Sequence, residues 1–307
     1  MIAVVVPTYG INEILKKVIF FLNFQTFKNF EIIIVDTHEN SSYKEFTNFE
    51  FNVNYSLRYV WVRDFIKNEQ FYTKSLARNL GIQLSRNDYI LLIDADMIPH
   101  PNLIQNHLKI LNKMKYKNVV LVGLELRTLK QDEYLKIKDL IFKIRNSEEL
   151  EKLFHFDFSN RSRKNLSFRR IGWYKFLTGN LLSTRELFIK TGMFDKNFIS
   201  YGFEDLELGY RFEKLGSKIF FNPSALTIHL HPLPVDKRVE NKINSVKNLK
   251  IFYQKYQNKE ILEKLGINFY SKIIYDYLPR YVKEFLKKKS NDYLTNYFFW
   301  KEWNTQK

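Results

Sequence analysis

The chain contains no cysteine, which removes disulfides, zinc–thiolate centres, iron–sulfur clusters and cysteine nucleophiles together. No apolar stretch approaches the ~18–20 residues that cross a bilayer. The opening MIAVVVPTYG lacks the basic flank and cleavage site of a signal peptide and reads as a first core strand. A cytoplasmic protein, soluble or peripheral at the inner face of a membrane, is therefore expected. Neither G-x-G-x-x-G nor G-x-x-x-x-G-K-S/T occurs, so dinucleotide-binding and P-loop folds fail, and there is no internal repeat.

What is present is apolar and basic. The 307 residues are 45% hydrophobic and 17% aromatic, with 28 Phe and 19 Tyr, enough side-chain area to bury a core and to exclude a globally disordered chain. That length holds one large α/β domain with an appendage, or two compact domains. Lys+Arg 49 against Asp+Glu 33 leaves a formal charge of +16, which favours anionic partners: nucleotide phosphates, nucleic acid or an acidic membrane surface. Residues 237–307 carry 16 basic and 7 acidic side chains, so +9 of the charge sits in the C-terminal region and +7 before it.

Over the first 125 residues short β-rich runs alternate with helical patterns, the signature of βαβ units around a mostly parallel sheet. Strands are expected at 3–7, 31–36, 57–62, 89–94 and 119–122, and helices at 12–23, 73–85 and 101–114. Residues 130–170 are polar and read as a loop. Its basic stretch from Arg161 to Arg170 is either a solvated surface or a lid over an anionic ligand. The chain is compact again over 172–232, and after Pro234 it becomes basic and helical. The expected domains are 1–235, catalytic, and 236–307, a basic, aromatic-rich helical region. An apolar stripe over Phe269–Leu286, then Lys287–Lys289 and the aromatic cluster Tyr297–Trp300, suits packing on the protein or a second copy, or peripheral contact with a membrane.

Three groups of residues can carry chemistry. EIIIVD and YILLID each end a strand in an aspartate, Asp36 and Asp94, where open α/β sheets bind ligands. Asp94-Ala95-Asp96 puts two carboxylates at the end of a buried strand, a set that suits Mg²⁺ or Mn²⁺ carrying substrate phosphates. In FEDLELGYR, Glu204 and Asp205 either cap a helix through its macrodipole or accept a proton from a hydroxyl, with Leu206 and Tyr210 facing inward. Among only 6 histidines, His229 and His231 at i, i+2 point the same way on an extended segment. They read either as structural histidines or as ligands, for Mn²⁺ more readily than Mg²⁺.

Taken in order, these segments carry a resemblance. Pro7-Thr8-Tyr9, Asp36, ARNLG before YILLIDADMIPHP, Thr178-Gly179-Asn180, GMFDKNF and YGFEDLELGYR resemble a family 2 glycosyltransferase over residues 1–232. The resemblance implies a GT-A-type fold, a Rossmann-like mixed, mostly parallel sheet flanked by helices. It also implies inverting, metal-dependent transfer from a nucleotide-sugar, usually a UDP-sugar, to a saccharide or glycoconjugate acceptor in surface polysaccharide synthesis. Carried over, Pro7, Thr8, Tyr9 and Asp36 would border the nucleoside, and Arg78 the uridine and its phosphates. Asp94 and Ala95 would sit by the ribose, with Asp94 near the metal. Asp96 and His229 would hold the metal, His231 being the alternative, and Mn²⁺ is favoured over Mg²⁺. Gly179 and Asn180 would line the donor sugar, and Asp205 would be the base with Glu204 beside it. The chain departs from the pattern at Thr37-His38-Glu39-Asn40, where Asp-Gly-Ser is common, and at Met193, where a second Gly is frequent.

Two other classes compete. A haloacid-dehalogenase-like phosphatase also places an Asp-x-Asp after a buried strand, but here the motif is mid-chain and Met97-Ile98 stand where a hydroxyl residue is expected. A basic nucleic-acid binder would use the charge and aromatics, but no such module is visible and no nucleic-acid partner is expected.

Overall fold

The computed structural model describes residues 1–39, 46, 53–66, 73–116, 118–128, 131–156, 166–199, 201–230 and 235–266. The chain divides into two compact units, one formed by Met1–Lys196 with Leu208–Pro232, the other by Asn197–Glu207 with the chain from Leu233.

The first unit is built on a sheet whose nine described strands follow in chain order: β1 (Ile2–Thr8), β2 (Phe30–Asp36), β3 (Ser56–Trp61), β4 (Tyr89–Ile93), β5 (Met97–Pro99), β6 (Val119–Arg127), β7 (Arg169–Arg170), β8 (Asn180–Thr184) and β9 (Lys218–His229). They are ordered β3-β2-β1-β4-β8-β6-β9-β5, with β7 beside β9. β1 to β4 are mutually parallel. β8 runs against both β4 and β6, β9 is parallel to β6, and β5 and β7 oppose β9. Most strands therefore share one direction. Runs such as IAVVV and EIIIVD are apolar without alternation because helices cover both faces, and every residue of β1 is buried.

Local chemistry sets the helix ends. Asn12 Oδ1 accepts from the backbone N–H of Ile14 and Leu15, each at 3.0 Å, starting the helix Glu13–Leu22. Thr73 Oγ1 accepts from Leu76 N at 3.2 Å and starts Lys74–Leu84, so both orphaned first turns are capped. The second of these helices crosses β1 so closely that a Cβ on Gly81 would overlap Val5 Cγ1.

Residues 130–170 differ from the loop expected of them. Gln131–Lys143 and Ser147–Leu153 are helices. Tyr134, Ile137 and Ile141 form a narrow buried stripe at i, i+3, i+7, too sparse to stand out in a charged sequence, and Asn146 Oδ1 caps the second helix at Glu149 N, 2.9 Å away. Of the expected lid, residues 161–165 lie outside the described part. Arg169 and Arg170 pair with Phe221 and Phe220 as β7.

The second unit comprises the helices Val235–Tyr256 and Lys259–Gly266 together with Asn197–Glu207, which lies inside the segment 1–235 expected as one domain. Phe198 and Phe252 bring their ring centroids to 6.4 Å, and Asn248 Nδ2 donates to Gly202 O at 2.7 Å. Those contacts assign the segment to this unit. The apolar stripe of 269–286 and the aromatic cluster of 297–300 lie outside the described residues. No described helix is long and apolar enough to cross a membrane.

Candidate active site

Parallel strands that end together leave a crevice at their carboxyl edge. In the first unit this crevice is a cleft of about 700 Å³ lined by Pro7, Thr8 and Tyr9 at the end of β1, by Asp94, Ala95 and Asp96 after β4, and by Lys74, Tyr134, Lys138 and Leu230.

Asp36 ends β2 but does not line the cleft. It is fully buried, its Oδ1 accepting from Gly10 N at 2.7 Å and His38 N at 2.9 Å and its Oδ2 from Tyr59 OH at 2.9 Å. Expected to border the nucleoside, it ties the turn after β1 to residues 37–39. That turn needs Gly10 at φ +79, and it presents Tyr9, 67% exposed, edge-on to the His38 ring at 4.7 Å.

Asp94 is equally committed. Arg78 Nη2 donates to its Oδ1 at 2.8 Å and Lys74 Nζ to its Oδ2 at 3.1 Å. Burial pushes the carboxyl toward protonation, but Lys74 and Arg78 outweigh it and hold Asp94 well below the usual carboxylate range. Arg78, expected at the uridine and its phosphates, is 1% exposed and packs its guanidinium 5.0 Å from the Phe194 ring centroid. Lys74, one helical turn earlier on the same face, does line the cleft. Asp94, expected near the metal, therefore orients two cations at the cleft it lines.

Asp96 is the open carboxylate. Backbone pairing brings it to His229: Met97 is opposite His229 where β5 meets β9, and Leu230 N donates to Asp96 O at 3.0 Å. Asp96 Oδ2 lies 3.3 Å from His229 Nε2. Burial lowers the imidazole pKa, while the hydrogen bond and charge of Asp96, with the charge of Glu125, more than reverse this and leave it raised. Among the described residues no three His, Asp or Glu side chains converge on one point. The pair nevertheless supplies one hard oxygen and one imidazole nitrogen beside open cleft, which fits a cation that completes its shell with phosphate oxygens and water, Mn²⁺ before Mg²⁺. His231 lies outside the described residues.

Gly179 is required by close approach. Its carbonyl accepts from Asp94 N at 3.3 Å, and a Cβ there would fall 2.5 Å from Met97 Cε and 2.9 Å from Glu125 Oε1. Asn180, expected beside a donor sugar, is fully buried. Its Nδ2 donates to Ala225 O at 3.0 Å and its Oδ1 meets His107 Nε2 at 2.9 Å, so it joins β8 to β9 and to the helix Leu103–Lys113. Asp205 and Glu204 stand half-buried in the first turn of the helix Glu204–Lys214, and both belong to the second unit. Leu206 there is only half-buried, the inward face being Leu208, Tyr210 and Phe212.

Several residues escaped sequence reasoning. Lys74 is one surface lysine among many, and Tyr134 and Lys138 sit on a helix read as loop. Glu125 did leave a signal: it interrupts the apolar strand VVLVGLELR, and a carboxylate in a central strand needs a partner. Arg127 Nη2 provides one at 2.8 Å.

Known structures share this architecture. The crystal structure of S. aureus TarS 1–349 superposes with a TM-score of 0.57 at 12% identity, covering 86% of this chain and 69% of that one. The same protein in complex with UDP gives 0.53 at 13% identity, over 81% and 65%. At such identities the likeness establishes the fold, the GT-A-type sheet that the resemblance implied. The model of glycosyl transferase family 2 matches residues 3–172, more than half of the chain, and the chain belongs to that family. A second model, described as the N-terminal domain of galactosyltransferase, matches residues 162–232. A chondroitin synthase of Escherichia coli is 25% identical over 285 residues, which span 85% of this chain and 40% of the synthase. The chain thus covers well under half the length of that relative. Family membership leaves no ground for the phosphatase reading.

Proposed function

We propose that this protein transfers a sugar from a UDP-sugar to a hydroxyl of a saccharide or glycoconjugate acceptor, with inversion and with a divalent cation, in surface polysaccharide synthesis. The observation that carries it is Asp96, on the cleft that Lys74 and Tyr9 also line, with His229 Nε2 3.3 Å from its Oδ2. Support for UDP comes from the TarS complex and for polysaccharide from the synthase relative.

Breaking the glycosyl–diphosphate bond builds negative charge on the leaving phosphate. Asp96 and His229 would hold the cation, which when bound offsets that charge as a Lewis acid. Lys74, kept in place by Asp94, adds a fixed positive charge at the same rim. Tyr9 offers an exposed ring for the base of the nucleotide. Asp205 would accept the proton of the attacking hydroxyl from the face opposite the leaving group, which inverts the anomeric centre without a covalent intermediate; Glu204 beside it keeps the local field negative. The same reading puts the protein in the cytoplasm or at the inner face of a membrane, its basic C-terminal region meeting anionic lipid or a second copy.

A panel of UDP-sugars decides it. One donor should release UDP, slowly with water and faster with acceptor, and the activity should vanish with EDTA and return with Mn²⁺. Phosphate release from simple phosphomonoesters, or salt-sensitive nucleic-acid binding that survives Asp96→Ala together with no UDP release, refutes the reading.

A further inference from the structure

The turn before Glu204 is strained and externally held. Gly202 and Phe203 both take left-handed backbone, φ +88 and +70, a conformation that strains a phenylalanine. Such strain persists only where the surroundings over-determine it. Here the surroundings come from the C-terminal helix Val235–Tyr256. Asn248 Nδ2 donates to Gly202 O at 2.7 Å, and Ser245 Cβ lies 3.2 Å from where a Cβ on Gly202 would be. Glu207, one turn beyond the strained pair, donates its backbone N–H to Phe203 O at 2.9 Å. Its carboxylate is fully buried and accepts from Lys255 Nζ at 2.8 Å and from Tyr256 OH at 2.6 Å. Burial and the adjoining Glu207 push the Tyr256 phenol up to about 12, so it remains a donor throughout the neutral range.

We infer that Asn248, Lys255 and Tyr256 are positioning residues that brace the segment 202–207 and so aim Asp205, making the C-terminal helix part of the catalytic machinery. This rests on Asp205 being the base proposed above. A buried carboxylate gripped by two donors on one side and a strained turn gripped on the other bracket Glu204-Asp205 within six residues of chain. A flexible base would lose near-attack geometry, and a misplacement of ~1 Å costs on the order of 100-fold in rate. Donor binding does not depend on this brace, because the residues that line the cleft belong to the first unit.

The test uses full-length protein and the donor found in the UDP-sugar panel. Tyr256→Phe, Lys255→Met and Asn248→Ala should each lower kcat for transfer by roughly 10- to 100-fold while KM for the donor stays near wild type, the mark of an interaction realised in the transition state. Calorimetric binding of UDP with Mn²⁺ should be unchanged, which shows that the first unit is folded, and the melting temperature and far-UV helical signal should match wild type, which shows that the second is. Lys255→Arg, which keeps a cation on Glu207, should recover much of the kcat that Lys255→Met loses. Asp205→Asn is the control. If it preserves transfer, the base assignment falls and the brace has nothing to aim. If it abolishes transfer while the three brace variants keep wild-type kcat, or lose UDP binding and kcat together, the brace inference alone is overturned.

Discussion

Asp94 and Asp96 stand two residues apart and do different work. Asp94 is enclosed by Arg78 and Lys74, so removing its buried partner leaves a carboxylate charge with too little compensation. Arg78→Ala should cost ~3–5 kcal/mol of stability, read as a lower urea midpoint. The sign of the pH effect follows from the depressed pKa: the folded carboxyl is harder to protonate than the unfolded one, so the pair stabilises above the ordinary carboxylate range and is lost as pH falls through and below it. Asp96, with its side chain 40% exposed, carries little stability, and the proposed function gives it the metal. Asp96→Asn should leave the melting temperature almost unchanged, while His229→Ala, which truncates a largely buried ring, should lower it; both should weaken UDP binding in Mn²⁺ by about 10- to 100-fold, measured by calorimetry. Equal UDP binding by wild type and Asp96→Asn would remove the metal from the proposal. The D-x-D pattern named both residues. Which of the two is held by cations depended on where Arg78 and Lys74 point, and that is set by helix packing against β1 and β2.

At the scale of elements, β8 is the strand on which the site leans. Gly179→Ala, forcing a methyl against Met97 and Glu125, should destabilise by ~1–3 kcal/mol and displace the Asp94 loop, lowering the melting temperature and UDP affinity together. Beneath it, His107 is buried and held near pKa 4 by desolvation, only partly countered by Asn180. Its folded pKa lies below the unfolded value of 6.5, so the unfolded state takes up more protons across that window and stability rises with pH through it. Unfolding free energy should drop by ~2 kcal/mol from this site between pH 7 and 5, and His107→Gln should flatten the slope. Element type was readable wherever the apolar pattern was dense: β1, β2, β4 and the helices capped by Asn12 and Thr73 all lie within a residue or two of expectation. It was unreadable over 131–153, where each helix meets the core through two or three apolar residues while the rest is solvated.

For the molecule as a whole, charge is the legible property. With +9 of +16 in residues 237–307, the full chain should co-sediment with anionic vesicles at low salt, each Lys or Arg near the surface adding ~1 kcal/mol. That binding should vanish as salt shortens the screening length. Binding that persists at high salt would point to apolar insertion through Phe269–Leu286, and none at low salt would end the peripheral-membrane proposal. The division of the chain was only partly legible. A boundary near 233 shows as the change to basic helix, but the membership of Asn197–Glu207 does not, because it depends on Phe252, Asn248, Lys255 and Tyr256 meeting it from ~50 residues away.

The sequence by itself determined the strands, the capped helices, the order of the motifs and hence the family, since these follow from short-range periodicity and spacing. Tertiary structure decided that Asp36, Asp94 and Asn180 hold the scaffold, that Lys74 replaces Arg78 at the cleft, and that Asp96 meets His229. Those outcomes turn on pairing across strand registers and helix faces distant in sequence. The direction of a side chain is fixed by its neighbours in space, and a one-dimensional pattern does not carry them.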